Sequence, residues 1–195
     1  MYGKAKYVVP TISPAKAYIT EFEEIDVAVG FSNFEEIGKY LGTSRTQDLG
    51  YDIIMVDTDN TEGFENFRLQ ESNKNYFVTS FDGYSLKKGL EVFAGLEQAI
   101  NLTKVYFSQE ILKEEDDYLN FLSSQYKISW GEKIYFPIEN GDLSVIYENQ
   151  RVAKIKFRKL SIQYKDGLAY LAEEIMGDSN DTQVRKAIKF IEKGV

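Results

Sequence analysis

The chain of 195 residues contains no histidine and no cysteine. These absences remove Ser-His-Asp and Cys-His triads, thiolate zinc sites, imidazole metal ligands and disulfides together. Any chemistry must run on carboxylates, Lys, Tyr, Ser/Thr or backbone groups, with oxygen-preferring metals at most. Proline is scarce as well: Pro10, Pro14 and Pro137 are the only three, so most of the chain has few rigid breaks. No stretch approaches the roughly 18 apolar residues of a membrane span. The longest aliphatic run is Ile53-Ile54-Met55-Val56. The first ten residues lack the apolar region of a leader peptide. A soluble, cytoplasmic protein that does not insert into membranes is expected.

What is present describes a folded chain. Hydrophobic residues make up 43%, and there are 14 Tyr and 13 Phe. This length suits one domain with a full core, or one domain with a small appendage. Net charge is −8 and uneven, with 16 acids against 9 bases in residues 1–100 and 15 against 14 in residues 101–195. An acidic surface keeps a small protein in solution and repels nucleic-acid phosphates.

Periodicity predicts the elements. Val8-Val9 reads as a first strand stopped by Pro10. Ile25 to Phe31 reads as a second, with Ile25, Val27, Val29 and Phe31 on one face at period two. Ser32 and Glu35, three apart, predict a capping box opening a helix with Phe34, Ile37 and Leu41 on its apolar stripe and Gly42 at its end. Residues 51–56 and 76–81 read as strands, the first of a fully buried type. Leu86, Leu90, Phe93, Leu96 and Ile100 predict one long helix over 85–100. Gly89 and Gly95, unfavourable inside a helix, imply that another element packs close to the backbone. A strand at 104–108 and a second long helix at 109–126 follow, the latter burying Leu112, Leu119, Leu122 and Tyr126.

After Trp130 the pattern reads as three short strands, 132–138, 143–148 and 151–158, joined at Asn140-Gly141 and Asn149-Gln150. Pro137 places the first of them at a sheet edge. Two helices close the chain, one over 165–176 ending before Gly177, the other burying Val184, Ile188 and Ile191. The expected fold class is α+β (mixed α/β). An α/β-like part over 1–127, with a mixed sheet and two long helices, precedes a three-stranded antiparallel meander and two C-terminal helices over 128–195. One continuous domain is the alternative.

Three constellations are candidates for function. Asp57 and Asp59 follow an apolar strand, where ligands bind in α/β sheets, and carboxylates two apart on extended backbone share a face. A magnesium-dependent enzyme acting on nucleotides or phosphate esters would use them as metal ligands. The same Asp-Thr-Asp-Asn-Thr run also reads as a turn. Gly63 comes one position too late for an EF-hand, Arg68 stands where its bidentate glutamate belongs, and neither phosphate-loop glycine pattern occurs.

Residues 35–48, with Ile37, Gly38, Leu41, Gly42 and Ser44 at the family spacing, resemble the start of a helix-turn-helix. The resemblance implies a DNA-binding regulator in which Arg45 and Gln47 face bases. It covers about fifteen residues, then fails: Asp48 occupies an apolar slot and Gly50 breaks the recognition helix.

The third candidate is the basic run 151–159. On a strand, Lys154, Lys156 and Arg158 share one face, with Tyr135 and Tyr147 on neighbouring strands as contact area. The leading expectation is therefore a non-enzymatic protein acting through protein–protein contacts, as a regulator, inhibitor or subunit. Its partner is another protein or a second copy, and it needs no cofactor. Magnesium belongs only to the enzymatic alternative.

Overall fold

A computed structural model describes residues 5–9, 16–23, 25–43, 49–80, 82–108, 113–177 and 181–193. The chain forms two compact units, Met1–Ser72 and Asn73–Val195.

The first unit holds strands β1 (Ala5–Val9), β2 (Tyr18–Phe22), β3 (Ile25–Val29) and β4 (Ile53–Val56), with helices α1 (Phe34–Leu41) and α2 (Thr61–Asn66). The sheet order is β2-β3-β1-β4. β1 runs parallel to β3 and β4, and β2 pairs antiparallel with β3. Ala28, fully buried, meets Phe31, Ile37, Leu49 and Phe67, with Ile54 and Val56 packed against them.

The alternation in β3 holds only as far as Val29. Ile25, Val27 and Val29 are half-buried on the side opposite Ala28. Gly30 has a φ of 79°, which interrupts the pleat so that Phe31 joins the Ala28 face. β4 is an edge strand, not a fully buried one, and Met55 is exposed. The helix cap is also displaced by one residue. Asn33 is the N-cap and accepts from the Glu36 amide at 2.9 Å, while the Glu36 carboxylate accepts from the Ser32 amide at 2.8 Å. Gly42, at φ 75°, ends α1 as expected.

The second unit is built on β5 (Tyr76–Thr79), β6 (Ile100–Ser108) and β7 (Ile128–Pro137), parallel and in that order. Helices α3 (Gly83–Glu91) and α4 (Lys113–Ser123) are the crossovers. Right-handed crossovers advancing in one direction place both on the same face. The other face takes α5 (Asp142–Val152), α6 (Ile162–Met176) and α7 (Asp181–Lys193). There Val105, Ile134 and Phe136 pack with Phe157, Leu160 and Tyr164. The Phe107 and Phe136 rings stack at 4.7 Å.

Two glycines set close approaches. A Cβ on Gly167 would lie 2.8 Å from the Tyr135 carbonyl oxygen, so α6 rests directly on β7. A Cβ on Gly89 would meet the Phe77 ring at 3.1 Å, the close neighbour that its place in a helix implied. Gly95 is different: it has open space around it and lies beyond the helix. The helix expected over 85–100 stops at Glu91. Short turns then bury Phe93 and Leu96, and Ile100 already belongs to β6.

There is no antiparallel meander among the described residues. β7 occupies 128–137 at the edge of a parallel sheet, as Pro137 indicated, but 143–148 lies in α5 and 153–160 forms a loop with a short 3-10 turn. The Asn140-Gly141 pair misled because Gly141 sits at φ −85°, in the right-handed region, as the N-cap of α5. A two-residue hairpin turn of that type needs positive φ at both central residues. The division expected at 127/128 falls inside this unit, between α4 and β7. Among the described residues, no helix is long and apolar enough to cross a membrane.

Candidate functional site

Asp57 and Asp59 lie at the carboxyl end of β4, both exposed. Their segment folds as the entry to α2. Asn60 is the N-cap and accepts from the Gly63 amide at 2.7 Å, while its own side-chain amide donates to Asp59 at 3.0 Å. A Cβ on Gly63 would lie 2.3 Å from Thr58 Oγ1, so a larger residue there would make the Thr58 side chain move. Among the described residues, no group of three or more acids converges as a metal site would need. Arg45 and Gln47 lie outside the described residues, as do Ser44, Thr46 and Asp48 beside them.

Among the described residues, a buried charge cluster forms outside all three of these candidate constellations. Lys104, in the middle of β6, has a side chain only 1% exposed. Its ammonium donates to Asp116 and Asn120 of α4, both at 2.6 Å, and sits 4.9 Å from the centre of the Trp130 ring. Asp116 also accepts from Lys133 and from the Tyr106 hydroxyl. Trp130 donates its indole N–H to Ser123 at 2.8 Å.

Burial works to raise the Asp116 pKa, but the bonds from Lys104, Lys133 and Tyr106 outweigh it and hold the carboxyl well below the usual range. Burial depresses the Lys104 pKa, with the Asp116 bond opposing it. The bond to Asp116 raises the Lys133 pKa. A buried amine of depressed pKa is the type of group that performs covalent chemistry. Here it is closed off from solvent and already bonded to a carboxylate and an amide, so the cluster acts as a brace between α4 and the sheet. The available signal was a lysine at mid-strand among Leu102, Val105 and Phe107.

Ligands in parallel sheets bind outside the carboxyl ends of the strands, commonly at helix N-termini. Beyond β7, the chain supplies its own anion at that position. Asp142 is 1% exposed and accepts from the Glu139 amide at 3.0 Å and from the Ser161 amide and hydroxyl, both at 2.7 Å. Burial again opposes these bonds, and they prevail, lowering its pKa. This carboxylate ties the starts of α5 and α6 together. An incoming phosphate would have to displace it.

The expected interaction residues are not on one sheet. Tyr135 is on β7, half-buried with its ring 5.3 Å from that of Tyr106. Tyr147 is on α5 and 64% exposed. Lys154, Lys156 and Arg158 follow α5 in irregular structure, so they do not form a stripe. Asn149 organises this segment: its carbonyl accepts from the Lys154 amide and its side chain from the Lys156 amide. The Lys156 ammonium bonds Glu148, which also faces Lys159 at 3.5 Å. Lys154 and Arg158 are exposed.

Apolar groups stand out around them. Leu143 and Tyr147, one turn apart on α5, and Ile162, at the start of α6, are exposed, Ile162 at 72%. The Asp142–Ser161 link brings the starts of these two helices to one place. No protein family, curated protein or solved structure matches this chain.

Proposed function

We propose that the protein is non-enzymatic and works by binding another protein, or a second copy of itself, through the outer surface of α5 and the start of α6. The observation that carries this reading is the exposure of Leu143, Tyr147 and Ile162 about one tether, Asp142–Ser161. Exposed apolar groups gathered in one place and rimmed by charge mark interaction surfaces. Tyrosine supplies contact area there at low entropic cost. Arg151, Lys154 and Arg158, all exposed, lie on and just after α5 and give this rim a positive character on an acidic chain. The basic residues thus keep a place in the interface, but as the rim of a helical patch.

The test replaces Tyr147 and Ile162 together with Asp. Both side chains are exposed, so the thermal midpoint should stay within a few degrees of the parent. Association, followed by sedimentation for self-assembly and by quantitative affinity capture from the source cell for another partner, should fall at least about tenfold. Unchanged association by the folded double variant refutes the reading.

A further inference from the structure

We infer that the open edge of β4 is a docking strand for an extended, positively charged segment of another protein. β4 is the last strand of its sheet, and among the described residues only β1 pairs with it. An unpaired edge presents free backbone donors and acceptors, which proteins normally guard with lysine, proline, a bulge or a cover. β7 is guarded in this way: its register shifts opposite Leu102 and Lys104, Lys133 follows the shift, and Pro137 ends it. β4 itself carries no lysine, no proline and, among the described residues, no register shift. Its four residues are Ile, Ile, Met and Val, and Met55 is exposed.

Charge identifies the occupant. Residues 52–71 hold six acids, Asp52, Asp57, Asp59, Glu62, Glu65 and Glu71, and one base, Arg68. All six acids are exposed. Arg68 is itself engaged by Glu35 at 3.7 Å. The first unit carries 13 acids against 6 bases, the second 18 against 17, so nearly all of the net charge lies on the unit that contains this strand. A segment that adds to β4 gains backbone hydrogen bonds from the edge and specificity from its side chains. Lys or Arg at both ends would meet Asp52 on one side and Asp59 on the other. An acidic segment would be repelled. Four residues of pairing make the contact weak without the charges, so salt should weaken it strongly.

The experiment uses the full chain and two synthetic octapeptides with the same core, Val-Thr-Ile-Val, one flanked on each side by Lys-Arg and the other by Glu-Glu. Binding is read by fluorescence anisotropy, and its location by hydrogen exchange of residues 53–56. The basic peptide should bind, slow exchange across Ile53–Val56, and lose at least about tenfold in affinity between low and high salt. Replacing Asp52, Asp59 and Glu62 by their amides should cost a similar factor. Met55→Lys, which adds the missing guard, should abolish binding while leaving the thermal midpoint nearly unchanged. Failure of the basic peptide to bind overturns the inference. So does equal binding of the acidic peptide, protection confined to other residues, or full protection of 53–56 in the free chain.

Discussion

Lys104 and Asp116 show how strongly one buried pair constrains this molecule. An ion pair taken out of water gains little over a well-packed apolar pair, but removing one partner leaves an uncompensated charge. Asp116→Asn should therefore cost about 3–5 kcal/mol in urea unfolding. Adding Lys104→Met to it should restore much of the loss, because the remaining amide can still accept from Lys133 and Tyr106. The pH dependence follows from the depressed Asp116 pKa. The unfolded carboxyl binds a proton at a higher pH than the folded one, so stability is present above about pH 4 and falls as pH drops below it. Lys104, Lys133 and Tyr106 face this carboxyl, and Asp117 acts on both lysines from nearby. Acid titration of stability in the parent and in Asp116→Asn checks the assignment: the variant should lose this component below pH 4.

At the level of elements, two glycines with similar helical settings should answer differently to alanine. Alanine gains about 1 kcal/mol of helix propensity over glycine. At Gly89 that gain opposes a small displacement of the Phe77 ring, whose nearest atom is a side-chain edge. At Gly167 the obstacle is the Tyr135 backbone oxygen at 2.8 Å, which cannot turn aside, so α6 must lift from β7. Gly89→Ala should lie within about 1 kcal/mol of the parent, whereas Gly167→Ala should lose about 1–3 kcal/mol. Thermal and urea melts of the two variants provide the comparison. Reversed order would show that the α6–β7 contact is softer than its geometry implies.

At the scale of the whole molecule, the contacts divide the chain between Ser72 and Asn73. The sheet β5-β6-β7, its aromatic core and the Lys104–Asp116 brace all lie within residues 73–195. That piece should fold on its own, with a cooperative melt and dispersed amide resonances. The charge division predicts a second difference. Residues 1–72 crowd 13 acids against 6 bases, so lowering ionic strength should destabilise this unit more than the other through self-repulsion. Hydrogen exchange of the intact chain at two salt concentrations would separate the two responses.

Much of this molecule follows from local sequence. The helix from Phe34 to Leu41 with Gly42 as its cap, the helix closed by Gly177 and the edge position of Pro137 are set by caps, turn residues and short periodic runs. Signals of that kind need only neighbouring residues. Three features needed the assembled structure. Residues 143–148 alternate well enough to read as a strand, yet helix forms there because Asp142 meets Ser161, nineteen residues away, and Val145 and Ile146 reach the core. The valines of β3 face away from Ala28 because burial depends on which side receives α1, and alternation alone does not say which face that is. Lys104 is buried because Asp116, Asn120 and Trp130 converge on it from another helix and another strand. The absences in the sequence determined which chemistry this protein does without. Tertiary packing decided where its charges are hidden and which apolar groups remain outside, since both depend on contacts between residues far apart in the chain.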